Sequence, residues 1–158
     1  MSTVYFLVGL PGSGKSTWAL NNKDLFNAVI ISTDTFIEEE ASKQNKTFAE
    51  VYHKTITKAL EKVEITFKLS LKNKKNIILD QTNLSRKSRL EKLKLVPKDY
   101  EKVCIFFMTP KDLKERLKNR KGREINDSVI KSMEANLEIP LKKEGWNKVI
   151  FIGEDNGN

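Results

Sequence analysis

The sequence predicts an α/β fold, a three-layer sandwich around a five-stranded, mostly parallel sheet, and two patterns carry that prediction. Short apolar runs alternate with longer stretches of helical character along the 158 residues, as they do where strands are joined by crossover helices. The first run, Val4-Tyr5-Phe6-Leu7-Val8, flows directly into Gly9-Leu10-Pro11-Gly12-Ser13-Gly14-Lys15-Ser16-Thr17. That stretch fits G-x-x-x-x-G-K-[ST] in the strand-loop-helix setting the motif requires.

The elements follow in order. Strands are expected at Thr3 to Val8, Ala28 to Ser32, Asn76 to Asp80, Lys102 to Met108 and Lys148 to Ile152. A helix starts at the phosphate loop, over Ser16 to Asn21. Phe48, Val51, Tyr52, Ile56, Leu60, Val63 and Phe67 recur at helical spacing, so a long amphipathic helix is expected from about Phe48 to Leu71. Ser85 caps a helix running to about Leu95, with Pro97 beyond its end. Pro110 or Lys111 opens another, with Leu113 and Leu117 on its apolar side and Gly122 as its interruption. A last helix follows Asp127 and carries Val129, Ile130, Met133 and Leu137 until Pro140 ends it. Glu154 to Asn158 reads as a polar, disordered tail.

Composition narrows the class. The chain has the size of one domain, and its apolar runs are far short of a membrane span. No secretory leader is expected, because the apolar run near Met1 is short and lacks a basic start. Cys104 is the sole cysteine, which excludes an internal disulfide; its setting in Val103-Cys104-Ile105-Phe106-Phe107 reads as a buried strand thiol, and a reducing cytoplasm fits. A net charge of +8, from 29 Lys and Arg against 21 Asp and Glu, suits a phosphate-rich partner, although stretches such as Lys72-Asn73-Lys74-Lys75-Asn76 read equally as solvated turns.

The loop chemistry is specific. Glycines let successive backbone N–H groups converge on phosphate oxygens, Lys15 reaches the terminal phosphates, and Ser16 is placed to hold Mg²⁺. A nucleoside triphosphate is the expected ligand. In a parallel sheet the ligand lies at the carboxyl ends of the strands, where Ser32-Thr33-Asp34 and Asp80-Gln81-Thr82-Asn83 bring two carboxylates to the same edge. Phosphoryl transfer to a hydroxyl needs a base and a cationic surround. Asp34 is the expected base and Asp80 the group that positions substrate or water around Mg²⁺; a strand-end Asp that caps the next turn is the alternative for each. Arg116 and Arg120, four apart on one helical face, can both point at a phosphate chain, and with Gly122 as hinge they suggest a closing basic lid. Arg86, Lys87 and Arg89 open a helix where the macrodipole disfavours cations. A nearby anion would remove that conflict, so a nucleic-acid backbone contact is one reading and plain surface charge the other. Glu38, Glu39 and Glu40 read as a solvated helix start, His53 as structural or surface, and Trp18 as packed beneath the first helix.

Taken together, these residues resemble the polynucleotide 5′-hydroxyl kinases, the phage-type enzymes most closely. The resemblance rests on Gly9 to Ala19, Asp34, Asp80-Gln81-Thr82-Asn83-Leu84, and Arg116 with Arg120 followed by Val129 to Met133. It implies one P-loop kinase domain over 1–158 with a basic lid near 112–126, transferring the γ-phosphoryl of ATP to the 5′-hydroxyl end of DNA or RNA. By that resemblance Asp34 is the general base, Lys15 and Arg120 steady the transferring phosphoryl, and Arg116 assists. Gly12, Ser13, Gly14, Lys15, Ser16 and Thr17 hold the nucleotide, Ser16 carries Mg²⁺, and Asp34, Asp80, Thr82, Asn83 and Arg86 face the acceptor. Phage-type members place an Arg three residues after the base to hold the acceptor's 3′-side phosphate; this chain has Ile37 there. Gln81 stands at the phage-type Asp. No D-x-D-x-T motif follows the last strand, so 3′-phosphatase activity is not expected. The same loop and base also suit a kinase of a small hydroxyl-bearing molecule, a nucleoside, sugar or antibiotic. A nucleotide switch is disfavoured by the absence of N-K-x-D and D-x-x-G elements.

Overall fold

A computed structural model describes residues 1–153; the polar tail Glu154 to Asn158 lies outside the described residues. Five parallel strands, β1 (Thr3–Val8), β2 (Ala28–Ser32), β3 (Asn76–Asp80), β4 (Glu101–Phe107) and β5 (Lys148–Ile152), form a sheet of order β2-β3-β1-β4-β5. Six helices accompany them: α1 (Lys15–Asn22), α2 (Thr33–Gln44), α3 (Phe48–Lys72), α4 (Arg86–Leu93), α5 (Leu113–Lys118) and α6 (Asp127–Asn136). The central strand β1 pairs with β3 on one side and β4 on the other. Its carboxyl end therefore opens where the sheet's connections diverge, the usual ligand position in such sheets.

The layers follow from alternation along the strands. Val4, Phe6 and Val8 face one way and pack with Val63, Phe67 and Leu71 of α3 and Leu93 of α4. Leu7, Ile78, Val103, Ile105 and Phe107 face the other way, against Ala19 and Trp18 of α1. The inner strands β1, β3 and β4 are buried on both faces, and their sequences are accordingly near-continuous apolar runs. Cys104 is fully buried, and burial pushes its thiol up to about 12.

Several element boundaries differ from the expectation. The fourth strand sits one residue earlier than Lys102 to Met108, because Glu101 N–H bonds the Ser2 carbonyl at 2.9 Å and extends the pairing with β1. The helix capped by Ser85, whose hydroxyl accepts from Ser88 N–H at 3.1 Å, closes at Leu93 rather than Leu95. The helix after Pro110 begins only at Leu113. The last helix ends at Asn136, ahead of Pro140. α2 was read only as a helix start at Glu38 to Glu40 and begins earlier, at Thr33; its buried positions are Ile37 and Ala41 alone, too few for a visible helical stripe.

Candidate active site

The phosphate loop is shaped by backbone that side chains disfavour. Gly12 has φ +81, and a Cβ there would meet Leu117 Cδ2 at 3.1 Å; Gly14, with φ +101, caps α1 and faces open space. Gly9 N–H donates to the Thr82 carbonyl at 3.0 Å, which ties the loop to the segment leaving β3. Leu10 is fully buried with Leu113, Leu117 and Ile130, so the base of α5 and α6 rests on the loop. Lys15 is buried and donates to the carbonyls of Gly9 and Leu10 at 2.9 and 2.8 Å. An ammonium has three N–H donors, which leaves one for a phosphate oxygen. Burial lowers the Lys15 pKa to about 8, partly opposed by Asp80 and Asp34.

Ser16 Oγ donates to Asp80 Oδ2 at 2.8 Å. Burial raises the Asp80 pKa, while that hydrogen bond and the Lys15 charge pull it down. A hydroxyl and a carboxylate side by side, with phosphate oxygens to come, form an all-oxygen donor set that fits a hard cation such as Mg²⁺. Among the described residues no group of three or more His, Cys, Asp or Glu gathers, so a metal here depends on the nucleotide for further ligands.

These groups open on a cleft of about 1290 Å³ that also takes in Asp34, Thr82, Asn83, Arg116, Arg120 and Arg123. Single-ligand pockets run to about 1,000 Å³, so the cleft has room for a nucleotide and an acceptor. Asp34 lies in the first turn of α2 rather than at the end of β2. One wall is apolar and aromatic, from Phe48, Tyr52, Ile56 and Leu60 of α3 to Val129 and Met133 of α6.

The arginines are arranged differently from the expected single helical face. α5 ends at Lys118, because Leu117 is the last side chain with an apolar seat and Gly122 then turns the chain at φ +76. Arg120 lies in the turn beyond, with its N–H on the Leu117 carbonyl at 3.3 Å. Both arginines nonetheless line the cleft. Arg116 pairs with Asp112 at 3.0 Å and approaches the Gly12 carbonyl at 3.4 Å. Arg120 Nη1 is buried without a hydrogen-bond partner, a costly state for a cation unless an anion takes it up.

Arg86 and Arg89, for which a nucleic-acid backbone was one reading, lie outside the cleft, while Asn83 lines it with its side chain already engaged. Arg86 lies beside Glu138 at 3.6 Å and Glu144 at 3.5 Å and does not line the cleft. Arg89 is fully buried, clamped by Glu144 at 2.8 and 3.0 Å, with Nη1 on the carbonyls of Asn83 and Leu84 at 2.8 and 2.9 Å. The anion that relieves the cations at the start of α4 is thus Glu144, part of the chain itself. Asn83 is buried at φ +47, its amide donating to the Leu7 carbonyl at 2.7 Å and its oxygen accepting from Lys92. It holds the loop's shape, with its side chain already engaged. Trp18 packs with Tyr5, Phe26 and Phe107, as expected.

Lys92 and Arg123 are charged cleft residues to which the sequence reading gave no role of their own. Burial lowers the Lys92 pKa to about 8. Arg123 has Nη1 3.8 Å from Asp34 and Nη2 on Glu38. Glu38, read as merely solvated, is its partner. The signal for Arg123 was its place directly after Gly122, inside the segment 112–126 read as a basic lid.

Comparison with known proteins fits this geometry. A family profile described as AAA domain matches residues 4–140. Human heterogeneous nuclear ribonucleoprotein U-like protein 2 (Homo sapiens) is 27% identical over 162 residues, covering 94% of this chain and 21% of that protein. L-seryl-tRNA(Sec) kinase of Methanococcus maripaludis is 27% identical over 148 residues, covering 89% and 54%. The chain therefore spans about a fifth to a half of these relatives' lengths. Among solved structures, a chain of the Pnkp1/Rnl/Hen1 RNA repair complex aligns with TM-score 0.66 and 29% identity, covering 86% of this chain and 44% of that one. A gluconokinase from Sinorhizobium meliloti aligns at 0.60 with 16% identity, covering 96% and 81%, and shares the fold.

Proposed function

The chain belongs to the AAA domain family (AAA_33) and has the P-loop kinase fold, and from that premise we propose that it is an ATP-dependent polynucleotide 5′-hydroxyl kinase. One observation carries the reading: a single cleft gathers the phosphate loop, the carboxylates Asp34 and Asp80, and three arginines, facing an apolar and aromatic wall. The likeness to a chain of an RNA repair complex and to a seryl-tRNA kinase supports a nucleic-acid acceptor. The net charge of +8 points the same way.

Asp34 accepts the proton of the acceptor's 5′-hydroxyl as its oxygen bonds to the γ-phosphorus. The bond from that phosphorus to the bridging oxygen breaks, and ADP leaves with the electron pair. Lys15 and Arg120 neutralise charge on the transferring group, and Arg116 steadies the phosphates from the segment 112–126, which acts as the lid. Mg²⁺, held through Ser16 with Asp80 alongside, supplies further neutralisation of the phosphates when bound. The apolar wall around Tyr52, which is 37% exposed, offers a face on which an acceptor base stacks.

Competition between acceptors tests the proposal. With γ-labelled ATP and a mixture of a 5′-hydroxyl oligonucleotide and small sugars, the label goes to the oligonucleotide. Label on the sugars in preference would transfer the site to a small-molecule kinase.

A further inference from the structure

Besides the phosphate loop and the arginines, three helices wall the cleft. Tyr52, Ile56 and Leu60 recur every fourth residue on α3, and Val129 and Met133 do the same on α6, which gives the cleft two apolar faces. Ser88 and Lys92, one turn apart on α4, make the third face polar.

Lys92 carries the charge of that face. Its ammonium donates to Asn83 Oδ1, and Asn83 is itself fixed by donating to the Leu7 carbonyl at 2.7 Å. The nitrogen is thereby held in place instead of swinging on its flexible stem. Among the described residues this is its one hydrogen bond, and no carboxylate pairs with it; Glu91 attracts it only from a distance. An ammonium has three N–H donors, so two, side by side on one nitrogen, are left for a ligand.

The surroundings narrow what that ligand is. Lys92 lies in the last turn of α4, where the negative end of the helix dipole works against an anion. Apolar walls suit a flat ring, and a polynucleotide acceptor brings one in its terminal base. Two adjacent donors call for two adjacent acceptors. Guanine presents them, O6 beside N7, whereas adenine sets its N6 amino group, a donor, against the ammonium.

We propose that Lys92 reads the O6/N7 edge of the acceptor's terminal base, making the enzyme selective for a 5′-terminal guanine over adenine. The inference rests on the polynucleotide-kinase reading and names the base that the site selects. The apolar faces of α3 and α6 take the faces of the ring, and Lys92 grips its edge.

The test labels 5′-hydroxyl oligonucleotides that differ only in the first base: guanine, adenine, hypoxanthine, which keeps O6 and N7 without the 2-amino group, and 7-deazaguanine, which lacks N7. The wild-type enzyme is expected to favour guanine and hypoxanthine alike over adenine by about fivefold to a hundredfold in kcat/KM, the range of a two-point base contact. 7-Deazaguanine should fall between. In Lys92→Met, which keeps an unbranched stem without the donors, guanine and adenine are used alike, and an unchanged KM for ATP reports that the variant is folded. Because 7-deazaguanine removes the contact from the ligand side, the test decides even where the variant fails to fold. Equal use of guanine and adenine by the wild-type enzyme overturns the inference and leaves the kinase reading standing. So does a preference lost with hypoxanthine, kept in full with 7-deazaguanine, or kept in full by Lys92→Met. Label on none of the oligonucleotides, from wild-type protein that binds ATP, overturns both.

Discussion

Arg120 holds one of its guanidinium nitrogens buried and unpartnered beside the phosphate loop. Burying a charged donor without a partner costs stability, and such a cost persists where a ligand repays it. We therefore propose that the residue serves transition-state charge rather than folding. Arg120→Ala should lower kcat by roughly tenfold to a thousandfold, the range for removing one oriented donor at a reacting group. Thermal melting should be unchanged or improved in the same variant. Turnover at the wild-type level would remove Arg120 from the chemistry. Residues of this kind were readable from type and spacing: Lys15, Ser16, Asp34, Asp80, Arg116 and Arg120 all line the cleft. Arg86 and Arg89 misled because a charge pattern does not say which anion satisfies it. Their counter-ion, Glu144, lies more than fifty residues along the chain.

α4 and the 3-10 turn at Lys142–Glu144 are joined by that same ion pair. Arg89 reaches through the pair to the carbonyls of Asn83 and Leu84, so it holds the segment that leaves β3 toward the cleft. Glu144 also accepts from Leu141 N–H at 2.9 Å and from the Trp146 indole at 3.3 Å. Removing one partner leaves a buried charge uncompensated, which costs about 3–5 kcal/mol. Glu144→Gln should show a loss of that size in chemical denaturation; a change within experimental error would contradict the structural role. Burial alone would raise the Glu144 pKa, but the Arg89 and Leu141 hydrogen bonds hold it below its ordinary value of 4.5. A carboxyl whose folded pKa lies below its unfolded one contributes stability above the unfolded value and loses it as pH falls through the folded one. Wild-type stability should fall on acidification below about pH 4.5, and Glu144→Gln should lack that portion of the fall. Other elements escaped the sequence for local reasons. α2 presents few apolar positions, and α5 is short because its apolar seat ends at Leu117, both set by tertiary contacts.

For the whole molecule, the inner strands β1, β3 and β4 were legible because strands buried on both faces are continuous apolar runs, and α3 carries a clean helical stripe. What sequence left open was the path of the segment after α5, which decides that Arg123 crosses to Asp34. No helix of the described residues is long and apolar enough to cross a membrane. The excess of basic residues should appear as salt dependence: oligonucleotide binding should weaken steeply as salt rises, with a log-log slope that grows with the number of phosphates engaged. Binding indifferent to salt would argue against a polyanion. The most direct measurement is transfer of γ-labelled phosphate from ATP to a 5′-hydroxyl oligonucleotide by the wild-type protein and by Asp34→Asn side by side, with ATP affinity measured in both. The wild-type protein should label the 5′ end, and the variant should lose about a hundredfold to ten-thousandfold in rate while keeping its affinity for ATP. An unlabelled oligonucleotide with wild-type protein that binds ATP, or equal labelling by both proteins, would contradict the account.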